Sequence, residues 1–175
     1  MKADPSETHA SEQEFDLVYY ASLLQLLDRG GRRIDVDIRQ TNRRALDAHP
    51  MAKHLRLIEG ASIAEDTAAK VRELISPTDN VLVVLDSNHT HDHVLGEIEL
   101  YPPLVRDGSY VVVFDAIIEF LEHTFENRPW SRGNHPCTAV KAFLQTNRRF
   151  EIDHAIHDRL QITVAPIGHL QCAAA

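Results

Sequence analysis

Five apolar residues, Val81-Leu-Val-Val-Leu85, run without a polar break into Asp86-Ser-Asn-His-Thr-His-Asp-His93. No other stretch limits the fold so sharply. A β-branched apolar run of this length is short for a helix and reads as a strand buried on both faces, as in a parallel sheet covered by helices. The polar cluster then falls in the crevice beyond the carboxyl ends of the strands, where open α/β sheets bind ligands. A second run, Ser109-Tyr-Val-Val-Val-Phe-Asp115, repeats the pattern and delivers Asp115 to the same edge. Two such strands joined by one helix in a right-handed crossover lie side by side. Asp86 and Asp115 are therefore expected at neighbouring strand ends.

The rest of the chain alternates in the same way. Leu17, Val18, Ala21, Leu24 and Leu27 recur at helical spacing and are stopped by Gly30-Gly31. Arg33 to Ile38 alternates as a short strand, and Thr41 or Asn42 caps a helix ended by Pro50. A strand from His54 to Ile58 and a helix from Ile63 to Ile75 lead to the run at Val81. Helices follow from Asp92 to Tyr101, broken by Pro102-Pro103, and from Cys137 to Thr146, with a last strand at Leu160 to Val164. Strands alternating with helices of this length predict an α/β fold built on a mostly parallel sheet. The 175 residues fit a single domain over 15–175, preceded by a flexible polar arm over 1–14.

Charge and composition exclude several classes of partner. A net charge of −8 argues against nucleic acid, because binding by counterion release needs a basic face. No apolar stretch approaches the roughly 20 residues of a membrane span. The N-terminus is polar and acidic rather than a signal sequence, and the two cysteines lack metal-ligand spacing, which suits a reduced cytoplasmic protein. Self-association stays open.

Candidate chemistry concentrates at the strand ends. Asp86 is either a site carboxylate or the cap of the turn that follows it. His89 and His93 are four apart, so on one helix they share a face; they are read as metal ligands or a proton relay, or else as solvated residues at a helix start. With Asp86 and Asp115 they suit Zn²⁺ or another transition metal, an arrangement open to hydrolytic chemistry as well. Trp130, in Arg128-Pro-Trp-Ser-Arg-Gly133, either lines a substrate mouth or anchors a long loop.

Several stretches together resemble the cephalosporin-hydroxylase and rhamnosyl O-methyltransferase family. They are Tyr19-Tyr-Ala-Ser-Leu-Leu24, Ile34-Asp-Val-Asp-Ile-Arg39, Leu57-Ile-Glu-Gly-Ala-Ser62, Leu85-Asp-Ser-Asn-His-Thr90, Tyr101-Pro-Pro-Leu-Val105, Gly108-Ser-Tyr-Val-Val-Val113, Phe143-Leu144 and Phe150-Glu-Ile-Asp153. The resemblance implies a Rossmann-like, three-layer, class I methyltransferase fold that uses S-adenosylmethionine to methylate a small-molecule substrate, at a hydroxyl of a sugar or natural-product scaffold, in lipid or natural-product biosynthesis. It implies that Asp35, ending its strand, holds the cofactor ribose, that Gly60 and Ser62 lie near the adenine, and that Asp86 completes the cofactor contacts. His89, His93 or Asp86 would serve in catalysis. Mg²⁺ or another divalent metal would sit at the positions of Asn88, Phe114 and Asp115.

The chain departs from the family pattern at three places. No glycine stands between Glu7 and Asp16, where the backbone should approach the cofactor and a Cβ would block it. The apolar first strand of the sheet is missing. Two of the three metal positions carry Asn88 and Phe114 in place of carboxylates. The expectations are weak cofactor binding, poor Mg²⁺ binding and impaired activity. The alternative is a silent family remnant serving as a binding or oligomerisation module.

Overall fold

The computed structural model describes residues 19–27, 31–37, 43–121 and 128–173. The glycine-free stretch from Glu7 to Asp16 and the arm over 1–14 lie outside them. The chain forms two compact units that divide between Val71 and Arg72.

The first unit holds helix α1 (19–26), strand β1 (Arg33–Asp37), helix α2 (Arg43–Ala48), strand β2 (Leu55–Glu59) and most of helix α3 (Glu65–Glu73). β1 and β2 pair in parallel, from Arg33 opposite Leu55 to Asp37 opposite Glu59. Ala21, Leu46 and Leu55 form a small core, with Met51 and Leu57 packed against it. Gly60 ends β2 because the start of α3 folds tightly over it: a Cβ there would run into the Thr67 hydroxyl, and Thr67 is buried.

The second unit is a four-stranded sheet. Its strands are β3 (Val83–Leu85), β4 (Tyr110–Val113), β5 (Phe150–Ile152) and β6 (His169–Cys172), in the order β3-β4-β6-β5. Helices α4 (His91–Leu100), α5 (Pro136–Thr146) and α6 (His154–Leu160) complete it, and α4 packs on α5. Val94 and Ile98 of α4, Ala139, Val140 and Phe143 of α5, Val111 and Val113 of β4 and Leu170 of β6 are all buried. Each of these valine, leucine, isoleucine and phenylalanine side chains contributes roughly 1.5–3 kcal/mol when removed from water.

The α/β reading holds, with three corrections. β3 covers only Val83–Leu85; Leu85 alone of the run is buried, and Leu82 is 57% exposed. Among the described strands β3 has a neighbour on one side only, and the expected burial on both faces is not seen along the run. The sheet of the second unit is mixed: β3 and β4 are parallel, while β6 runs antiparallel to both of its neighbours. Finally, 160–164 is not a strand. Asp153 accepts hydrogen bonds from the Ala155 and Ile156 amides and starts α6, which carries the chain through Leu160. Ile162 is left 92% exposed, and the last strand falls at His169–Cys172. A capping aspartate satisfies orphan amides at a helix start, and the helix it begins takes Leu160 out of the expected strand.

Candidate functional site

β3 and β4 are parallel and adjacent, with Leu85 in register with Val113. The Phe114 amide donates to the Leu85 carbonyl at 3.0 Å, which extends the pairing one residue past β4. Asp86 therefore leaves β3 at the same edge where Asp115 leaves β4. Asp115 adopts a left-handed backbone (φ 55°, ψ 19°) and begins a 3₁₀ turn over Ala116–Phe120. Aspartate tolerates this region better than most residues, though still at a cost of about 1–2 kcal/mol, and such conformations gather at functional sites.

The loop after β3 is shaped by its own side chains. Asn88 Oδ1 accepts from the Thr90 amide (2.9 Å) and the Thr90 hydroxyl (2.8 Å), a local turn that delivers the chain to the N-cap of α4 at Thr90. His89 thus precedes the helix, and its Nδ1 comes within 3.2 Å of Asp115 Oδ2. Asp86, His89 and Asp115 each offer an atom within 4.8 Å of the others. His89 and Asp115 are partly shielded and Asp86 is exposed, so the cluster opens to solvent on one side.

Trp130 stands edge-on to His89, ring centroids 5.9 Å apart, and the Arg128 guanidinium lies 5.9 Å from the Trp130 ring centre. This loop is held through Asn134: its amide nitrogen donates to the Pro129 carbonyl (3.1 Å), and its Oδ1 accepts from the His91 amide (2.8 Å). His91 Nδ1 also lies 2.8 Å from Thr138 Oγ1 in α5. In the sequence nothing marks Asn134 or Thr138 for this clasp beyond the neighbouring Pro136, a residue that favours the first turn of a helix.

The expected residues separate. Asp86, His89 and Asp115 come together. His93 does not share a face with His89, because His89 lies before the helix; His93 Nε2 stands 3.6 Å from Glu97 Oε1 instead. Asn88 has its side-chain oxygen engaged by Thr90 and is not turned to a metal. Asp35, Gly60 and Ser62 belong to the first unit. Asp35 lies in the middle of β1, not at its end, where Asp37 stands, and its Oδ1 is 3.7 Å from Arg33 Nη2. Burial pushes the Asp35 carboxyl above its ordinary range, and Arg33 partly offsets this.

The donor set can be tested against Mg²⁺. Phe114 offers no oxygen, Asn88 is engaged, and the cluster contains an imidazole. Mg²⁺ demands oxygen ligands in octahedral geometry, so these residues do not fit it well. An imidazole with two carboxylates is closer to what a transition metal accepts. For S-adenosylmethionine, Asp35 retains acceptor oxygens on a half-buried strand, which suits ribose hydroxyls.

A model of the rhamnosyl O-methyltransferase/CmcI family matches residues 15–173. The rhamnosyl O-methyltransferase of Mycobacterium tuberculosis is 30% identical over 105 residues, 58% of this chain and 41% of that one. The corresponding protein of Mycobacterium leprae is 28% identical over 100 residues, 57% of this chain and 42% of that one. This chain therefore matches about two fifths of the length of these curated relatives. A solved structure of the MycE methyltransferase of mycinamycin biosynthesis, with Mg, SAH and mycinamycin VI, overlays with a TM-score of 0.46 at 19% identity; the overlay covers 66% of this chain and 30% of that one.

Proposed function

From the premise that the chain belongs to the rhamnosyl O-methyltransferase/CmcI family, we propose that it carries the acceptor side of an S-adenosylmethionine-dependent O-methyltransferase site. The acceptor is a hydroxyl of a sugar or natural-product scaffold. The observation that supports this reading most is the His89–Asp115 pair at the end of two parallel strands, with Asp86 beside it.

The chemistry follows from that geometry. With its Nδ1–H held by Asp115 Oδ2, the imidazole presents Nε2 as the basic nitrogen. Nε2 takes the proton of the acceptor hydroxyl as the oxygen forms its bond to the methyl carbon. S-adenosylmethionine, when bound, supplies that methyl group as an electrophile, and its sulfur keeps the electron pair of the broken C–S bond. Asp115 stabilises the imidazolium that forms, and Asp86 orients the acceptor oxygen. A positioned base of this kind contributes roughly 10²–10⁴-fold. No step assigned to these residues requires Mg²⁺. Trp130 presents an aromatic wall beside His89 for the face of a ring-shaped acceptor.

The test is calorimetric titration with S-adenosylmethionine, followed by methyl transfer to rhamnosyl acceptors. The expected result is binding weaker than micromolar, because the segment from Glu7 to Asp16 has no glycine to admit the cofactor. No binding, with a folded protein, would favour the silent binding or oligomerisation module instead.

A further inference from the structure

Glu97 occupies a position in α4 where an apolar side chain is the rule. It is 2% exposed and lies among the buried residues Val94 and Ile98. A buried carboxylate is costly unless it is bonded, and an unmatched oxygen in the interior calls for an explanation. Glu97 Oε1 accepts a 2.6 Å hydrogen bond from the Ser87 hydroxyl and stands 3.6 Å from His93 Nε2. Its Oε2 is buried with no hydrogen-bond partner among the described residues.

Ser87 is the exposed neighbour of Asp86. The Thr90 bonds to Asn88 are internal to the loop, so they shape it without fixing it to anything else. The Leu85 carbonyl holds its start against β4, and Asn134 holds its end at His91. Between those points, the Ser87–Glu97 bond ties the loop to the body of α4. We propose that Glu97 is a positioning residue: acting through Ser87, it sets Asp86 and His89 opposite Asp115. This rests on reading those three as the reacting edge.

A packing role and a positioning role predict different things. Glu97→Leu removes a buried carboxylate whose Oε2 has no partner among the described residues, and the groups it leaves behind, Ser87 and His93, are not buried and can turn to water. Glu97→Leu is therefore expected to keep or raise the melting temperature while releasing the loop. Glu97→Gln retains an acceptor oxygen for Ser87 and is expected to behave as wild type. Ser87→Ala, which removes one exposed hydroxyl, is expected to release the loop as Glu97→Leu does.

The readout is the ¹⁵N signature of the His89 ring at alkaline pH, on the full chain without cofactor or acceptor. In the wild type the contact with Asp115 favours the tautomer carrying its proton on Nδ1. In Glu97→Leu and Ser87→Ala the signals shift toward the mixture of an unrestrained imidazole, and the emission of Trp130, the one tryptophan of the chain, shifts with them. Glu97→Gln shows neither change. His89 signals that stay at wild-type positions in folded Ser87→Ala overturn the proposal, even where Glu97→Leu fails to fold. So does a shift in Glu97→Gln equal to that in Glu97→Leu, because the acceptor oxygen would then be irrelevant. No methyl group need move for this result, so a wild type without transferase activity would sink the proposed reaction and leave the positioning intact.

Discussion

Asp115 shows how one residue can be set against a partner at a local cost. Its left-handed backbone turns the carboxylate back toward His89, and the 3.2 Å contact gives the imidazole a fixed partner. His89→Ala is expected to lower methyl transfer by about 10²–10⁴-fold with little change in melting temperature, since the ring is partly exposed; steady-state rates with thermal melts check this. Metal affinity is set at the same scale. Asn88→Asp with Phe114→Glu should strengthen Mg²⁺ binding, because anionic oxygens replace a neutral amide and a hydrocarbon ring. Titrating wild type and double variant with Mg²⁺ decides it, and a folded double variant that binds no better would place the metal elsewhere. Gly60 is also constrained by packing. Gly60→Ala should cost about 1–3 kcal/mol through overpacking against Thr67. Thr67→Ala in the same chain should recover part of that loss, which denaturant melts of the two single variants and the double variant would measure.

At the scale of elements, small polar ties decide how helices and strands are joined. Asp153 caps α6 and also accepts a 2.8 Å hydrogen bond from the Tyr110 hydroxyl of β4. That bond, first among the causes, holds the Asp153 carboxyl below its ordinary range and raises the Tyr110 phenol above its own. The signs of the two effects differ. A depressed carboxylate stabilises the fold above the unfolded value of about 3.9, and this stability is lost as pH falls through the lower folded value. A raised phenol stabilises below about 10, and its part is lost as pH rises through the higher folded value. Asp153→Ala should therefore flatten the melting temperature against pH at both ends, with α6 fraying; melts from pH 3 to 11 test this. The same cap starts the helix that takes up Leu160, the first residue of the expected strand over 160–164. The sequence shows alternation there, but Leu160 ends α6 and Gln161 turns with a positive φ, so no strand begins.

At the scale of the molecule, the two compact units differ in what holds them. The first has a two-stranded sheet, every residue of β1 only half-buried, over the small core of Ala21, Leu46 and Leu55. A two-stranded sheet is marginal by itself. The second unit buries two helices on each other beside a four-stranded sheet. Amides of β1 and β2 should therefore exchange with solvent before those of β4 and β6, by at least about tenfold for each 1.4 kcal/mol separating the local openings. Hydrogen exchange resolved to peptides would show it, and equal rates in the two sheets would mean that the whole chain opens as one unit.

The α/β class and the meeting of Asp86 with Asp115 were legible in the residues alone. An apolar run is a statement about burial, a crossover has one preferred hand, and the residue that ends a strand inherits the strand's position. What those rules do not contain is the direction in which a side chain leaves the edge. His89 and His93 have helical spacing in the sequence, yet the Asn88–Thr90 turn puts one before the helix facing Asp115 and the other on it facing Glu97. The mixed sheet, the Asn134 clasp on α4 and the buried Glu97 were equally out of reach. Each depends on partners far apart in the chain, ten residues for Ser87 and Glu97 and forty-three for His91 and Asn134. Local propensity and period speak for near neighbours, whereas a hydrogen bond between distant residues exists only once packing has closed the loop between them, and that closure is what the tertiary structure decided.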